Sequence, residues 1–180
     1  YQHYKKINDN VGIPIIIYNI PSRSVIDMSV ETMSRLFELK NIVGVKDATG
    51  DLTRADQQLK SMGKDFIMLT GEDSNAIEFN KRGGSGCISV TANVAAKLCS
   101  EMQNASLSRN DHNLQSRAEE INKILAPLNN SLFIESNPSP VKYAASLLGL
   151  SPDTVRLPLV KVTENTKKIV KEALHQAKLI

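Results

Sequence analysis

The chain has 180 residues, 41% apolar and 23% charged, with a net charge of +3. This excludes a disordered chain and gives about one domain with enough residues for a core. The charge is too mild to argue for nucleic acid, no apolar stretch nears the roughly 18 residues of a membrane span, and no signal peptide is visible.

Ile13-Pro14-Ile15-Ile16-Ile17-Tyr18 is a β-branched run and reads as a buried strand, broken by Pro21-Ser22-Arg23. Ser29 is placed to cap a helix carrying Met33, Leu36 and Phe37 on one face. Ile42-Val43-Gly44-Val45-Lys46 is a second strand. Asp51 then caps a helix with Leu52, Ala55, Leu59 and Met62 that stops at Gly63. Phe66 to Thr70 is a third strand, and Asp73 or Ser74 opens a short helix ending at Gly83-Gly84. Cys87-Ile88-Ser89-Val90 is a fourth strand, followed by a helix from about Asn93 to Ala105.

Four strand–loop–helix units predict a parallel sheet, and near-continuous apolar strands predict that both its faces are covered. An open doubly wound sheet and a (β/α)8 barrel both fit. A barrel needs about 250 residues, so four units would be half of one. The chain starts at Tyr1 rather than Met, and the expectation is a piece of a longer protein.

The last third is helical. Leu114, Ala118, Ile121, Leu125 and Leu128 keep helical spacing from Asp111 to Asn129, and Pro127 is expected to kink or weaken the end. Glu135 to Pro140 reads as a stiff turn, Val141 to Leu148 as a helix stopped by Gly149, and Glu164 to Lys178 as a final amphipathic helix. The expected division is 1–108 for the βα units and 109–180 for the helical region. Cys87 and Cys99 lack zinc spacing and are expected to be buried, reduced thiols. His3, His112 and His175 are scattered and match no metal or triad pattern. The chain has no Trp, so stacking platforms for single-stranded nucleic acid are not expected.

Chemistry concentrates at the carboxyl ends of the strands, where ligands sit in α/β folds. Lys46 ends an apolar strand. Burial there disfavours the ammonium and leaves neutral amine for Schiff-base formation, whereas a plain structural lysine would reach the rim or pair with Asp47 or Asp51. Tyr18 ends the preceding strand, one βα unit earlier, and neighbouring strands lie about 4.8 Å apart. Both side chains can therefore reach one pocket, although a lone Tyr18 would read as a core residue. Arg23 offers a guanidinium fork for a carboxylate, or is simply a solvated loop residue. Gly71 lets the backbone approach a ligand closely. Arg82-Gly83-Gly84-Ser85-Gly86 precedes a strand rather than opening a helix, so it reads as a tight turn and not a phosphate loop. Glu72 and Asp73 read as helix-capping carboxylates, and Glu135 and Asn137 as turn residues.

Four segments together resemble the dihydrodipicolinate synthase family, in the class I pyruvate-dependent aldolase and lyase superfamily. They are Tyr18-Asn19-Ile20-Pro21-Ser22-Arg23, Gly44 to Asp51, Gly83 to Val94, and Glu135 to Lys142. The resemblance runs the whole chain and corresponds to strands 5–8 of a (β/α)8 TIM barrel plus the C-terminal helices. It implies that Lys46 forms a Schiff base with pyruvate and that the derived enamine attacks aspartate 4-semialdehyde, giving 4-hydroxy-tetrahydrodipicolinate for lysine biosynthesis. It implies Tyr18 as proton relay, Arg23 on the semialdehyde carboxylate, and Gly71 and Ile88 lining the pyruvate pocket. No metal or organic cofactor, nucleic acid or membrane partner is implied. A cytoplasmic protein, homotetrameric at full length, is. Asp47 stands where the family more often has Glu, and Cys87 where Val is common. The family's Gly-Thr-Thr-Gly-Glu-like segment, a second relay residue and a tyrosine lent by a neighbouring subunit belong to an N-terminal half outside this sequence.

Two other readings compete. N-acetylneuraminate lyases and 2-keto-3-deoxy sugar-acid aldolases share the Tyr and Lys strands, but the spacing of Tyr18, Pro21 and Arg23 favours the synthase. A non-catalytic half barrel would instead dimerise or aggregate to cover its open sheet edges.

Overall fold

Apolar runs separated by helices become parallel strands in sequence order, β1 (Ile15–Asn19), β2 (Ile42–Asp47), β3 (Ile67–Thr70) and β4 (Gly86–Cys87). The computed structural model describes all 180 residues and divides into two compact units, 1–88 and 89–180. The sheet lies wholly in the first unit.

Connections are helical, as parallel pairing requires. Between β1 and β2 lie the one-turn α2 (Pro21–Ser24) and α3 (Val30–Phe37); α4 (Thr53–Met62) joins β2 to β3; a 3-10 turn (Asp73–Asn75) and α5 (Ala76–Lys81) join β3 to β4. Ser29 caps α3 by accepting the Thr32 N–H, and Asp51 accepts the Thr53 N–H at 2.9 Å as α4 begins. Pro21, read as a break, sits at the first position of α2, where its fixed φ suits a helical turn. Gly84 follows from packing, since a Cβ there would lie 2.3 Å from the Phe79 ring. The glycine-rich run is thus a tight turn against α5.

The register pairs Ile17 with Val45 and Val45 with Met68 on the helix side of the sheet. Val45 and Met68 pack with Met33, Ala55, Met62, Phe66 and Phe79 in one buried cluster. Ile17, Leu36 and Ile42 form a second, against which Tyr1 and Tyr4 pack. Those tyrosines explain α1 (Gln2–Asn8), which has no side-chain cap and which the sequence reading does not predict. Tertiary packing rather than local signal supports it.

Two expectations about the sheet are corrected. Only one face is covered, and Ile16, Tyr18 and Ile67 are exposed on the other. The first unit has no second layer of helices for that face. The fourth strand is also shorter than Cys87 to Val90. The Ile88 N–H still bonds the Thr70 carbonyl, but Ser89 leaves the ladder and its hydroxyl accepts the Ala92 N–H at 2.8 Å.

The second unit contains α6 (Ala92–Leu107), α7 (His112–Ser131), α8 (Ser139–Leu147) and α9 (Glu164–Gln176). α6 packs on α7 and α8, and α9 packs on both α7 and α8. The sequence reading places α6 with the βα units, whereas it falls in the compact unit of the later helices. α7 runs through Pro127 to Ser131, because Leu125 and Leu128 are buried on either side and hold the turn. The kink lies instead in α6, at Ala95 (φ −132°, ψ 42°). Neither cysteine is in a disulfide; Cys99 is buried, but Cys87 is only half-buried. No helix is long and apolar enough to cross a membrane.

Candidate active site

Tyr18 and Lys46 are direct register partners at the carboxyl ends of β1 and β2. Strand alternation sends both side chains to the uncovered face of the sheet. There the Lys46 Nζ lies 3.9 Å from the centroid of the Tyr18 ring, in cation–π geometry. Lys46 is half-buried and Tyr18 is 46% exposed, so the pair faces accessible space. Lys46 makes no ion pair with Asp47 or Asp51, whose carboxylates are engaged by Arg54 and by Thr53.

Gly71 closes one side of this pair. Its N–H bonds the Asp47 carbonyl at 2.7 Å, extending the β2–β3 ladder past the strand ends. A Cβ at Gly71 would lie 2.8 Å from the Ala48 Cβ and 3.2 Å from the Lys46 Cε. The lysine stem occupies space that only glycine leaves open. Ile88 follows β4 on the same carboxyl side and is exposed. Arg23 is exposed on α2, the turn directly after β1. The structure thus sets Lys46 between the Tyr18 ring on one side and Gly71 on the other, with Arg23 and Ile88 on flanking segments.

On the covered face of the same strand ends lies a polar cluster that the sequence reading does not single out. Asp47 is 5% exposed. Its Oδ1 accepts the Thr49 N–H at 3.0 Å and hydroxyl at 2.6 Å; its Oδ2 accepts from Arg54 Nε at 2.9 Å and Gln58 Nε2 at 3.1 Å. A legible signal existed in Gln58, which stands between Ala55 and Met62 on the apolar stripe of α4. A polar residue there needs a buried partner.

The model of the dihydrodipicolinate synthetase family matches residues 1–177. The chain belongs to that family. It is 69% identical over 181 residues to the 4-hydroxy-tetrahydrodipicolinate synthase of Pelagibacter ubique (strain HTCC1062), covering 100% of this chain and 61% of that protein. It is 58% identical to the enzyme of the same name from Methylobacterium radiotolerans, covering 100% of this chain and 59% of that one. Among solved structures it is similar to dihydrodipicolinate synthase from Aquifex aeolicus (TM-score 0.94, 38% identity, 99% of this chain and 60% of that chain). It is equally similar to the chloride-inhibited Acinetobacter baumannii synthase complexed with pyruvate (TM-score 0.94, 40% identity, 100% and 60%). The chain therefore spans about 60% of the length of the synthase-family relatives it matches.

Proposed function

We propose that this chain is the Schiff-base-forming part of a 4-hydroxy-tetrahydrodipicolinate synthase, condensing pyruvate with aspartate 4-semialdehyde in lysine biosynthesis. The observation that carries the reading is the Lys46–Tyr18 contact at paired strand ends, 3.9 Å from nitrogen to ring centroid. Family membership supplies the substrates.

In this reading the neutral Lys46 amine adds to C2 of pyruvate and water leaves, giving a protonated imine. The imine draws electrons from the methyl group, which loses a proton to become an enamine. The enamine carbon attacks the aldehyde of the semialdehyde and forms the new C–C bond. Ring closure by the semialdehyde's amino group then displaces Lys46 and frees its amine. Tyr18 relays protons in the steps that follow the imine. Arg23, on the turn after β1, grips the semialdehyde carboxylate through its planar fork. Gly71 and Ile88 line the pyruvate pocket through backbone groups. The covalent step needs no resident metal or organic cofactor.

The same reading assigns β1–β4 to strands 5–8 of a (β/α)8 barrel, with 1–108 as its four βα units and 109–180 as the C-terminal helical region. Strand order and the uncovered sheet face support it, because the facing strands of a closed barrel would cover Ile16, Tyr18 and Ile67 from the inside. A cytoplasmic homotetramer at full length belongs to the proposal.

The test is turnover by the full-length gene product that contains these residues. Consumption of pyruvate with aspartate 4-semialdehyde, without cleavage of N-acetylneuraminate, is expected. Cleavage of N-acetylneuraminate alone would place the protein among the sugar-acid lyases.

A further inference from the structure

The polar cluster beneath the strand ends touches the segments that bear Tyr18, Lys46 and Arg23. Asn19, directly after Tyr18, is buried; its Nδ2 donates to Asp27 Oδ1 at 2.9 Å and its Oδ1 accepts the Met28 N–H at 3.1 Å. Asp47, directly after Lys46, receives Arg54 Nε. The same guanidinium donates through Nη2 to the Met28 carbonyl at 2.6 Å and approaches Asp27 Oδ2 at 3.5 Å through Nη1. Asp27 and Met28 end the loop that begins with α2 and Arg23.

We infer that Arg54 is a positioning residue for the lysine chemistry: one largely buried guanidinium ties the side chain of Asp47, the residue after Lys46, to the segment that Asn19 ties to Tyr18. The inference rests on the proposed Schiff-base role of Lys46. Asn19 and Asp47 are register partners, as are Tyr18 and Lys46, so a slip between β1 and β2 would misalign both pairs at once. Arg54 is only 11% exposed, so its fork is largely withdrawn from competing water. A lysine at this position carries the charge but cannot span Asp47 and Met28 with a rigid fork. The site is thus held from behind, by groups that touch no substrate.

The test is time-resolved borohydride trapping of pyruvate on the full-length gene product, with Arg54→Met, Arg54→Lys and Asp27→Ala. Asp27 is 50% exposed, so its removal leaves no buried charge and guards against a variant that fails to fold. The expected result for Arg54→Met is a limiting trapping rate about 10- to 100-fold lower, with the half-saturating pyruvate concentration changed by less than about twofold and labelling still complete at the end point. Arg54→Lys recovers part of the rate, and Asp27→Ala loses about threefold or more. An unchanged limiting rate in both Arg54→Met and Asp27→Ala would overturn the inference. So would a reduced end point with a normal rate in the labelled fraction, which marks misfolding alone. Absence of any Lys46 adduct in the unsubstituted protein would instead refute the functional reading on which it rests.

Discussion

The Lys46 nitrogen rests on the face of the Tyr18 ring, 3.9 Å from its centroid, because the two residues are partners in a parallel register. The contact is made by the ring face, whereas the proposed proton relay uses the Tyr18 hydroxyl at the far edge of the ring. The two roles separate by mutation. Tyr18→Phe is expected to keep pyruvate trapping within about threefold of the parent and to lower turnover by about 10²- to 10⁴-fold. Equal loss in both assays would mean that the hydroxyl is needed before the imine forms, against this assignment.

Gly71 gives a steric prediction. Alanine there must displace either Ala48, 2.8 Å from the new Cβ, or the Lys46 stem at 3.2 Å. Gly71→Ala is expected to slow adduct formation on Lys46 by about 10- to 100-fold. Adduct formation at the parent rate, measured by mass spectrometry over time, would show that the lysine stem moves aside freely.

Much of the fold is legible in sequence where the signals are local. Ser29 and Asp51 announce the starts of α3 and α4, and the β-branched runs announce β1 to β3. The Tyr18–Lys46 pairing is legible because a single βα unit separates two strand ends. What sequence does not reveal is non-local. α1 depends on Tyr1 and Tyr4 packing against Ile17, Leu36 and Ile42. The shortness of β4 depends on Ser89 serving a helix start. Arg54 reads as an ordinary helix residue until folding brings Asp47, Asp27 and Met28 around it. The apolar strands predict two covered faces, but hydrophobicity does not say which part of a chain supplies the second cover.

In the helical unit, the Glu135 carboxylate meets the start of α9, accepting the Thr163 N–H at 3.0 Å and the Thr163 hydroxyl at 2.8 Å. The Thr166 hydroxyl and these Thr163 donors hold the carboxyl below its ordinary value of 4.5. A carboxyl depressed in the folded state stabilises above its unfolded value, and that contribution is lost as pH falls through the folded one. Protection of the Thr163 amide from hydrogen exchange is therefore expected to weaken as pH falls below 4.5, after correction for intrinsic exchange. Glu135→Gln should remove that dependence. A variant that keeps the same acid sensitivity would assign it to another group.

The central claim is that the amine of Lys46 is the nucleophile. The most direct measurement is reduction of the full-length gene product with borohydride in the presence of pyruvate, followed by peptide mass mapping, with Lys46→Arg in parallel. The account predicts one reduced pyruvate adduct per chain, located on Lys46 and absent from Lys46→Arg. An adduct on any other lysine, or none on a folded protein that still turns over its substrates, would contradict it.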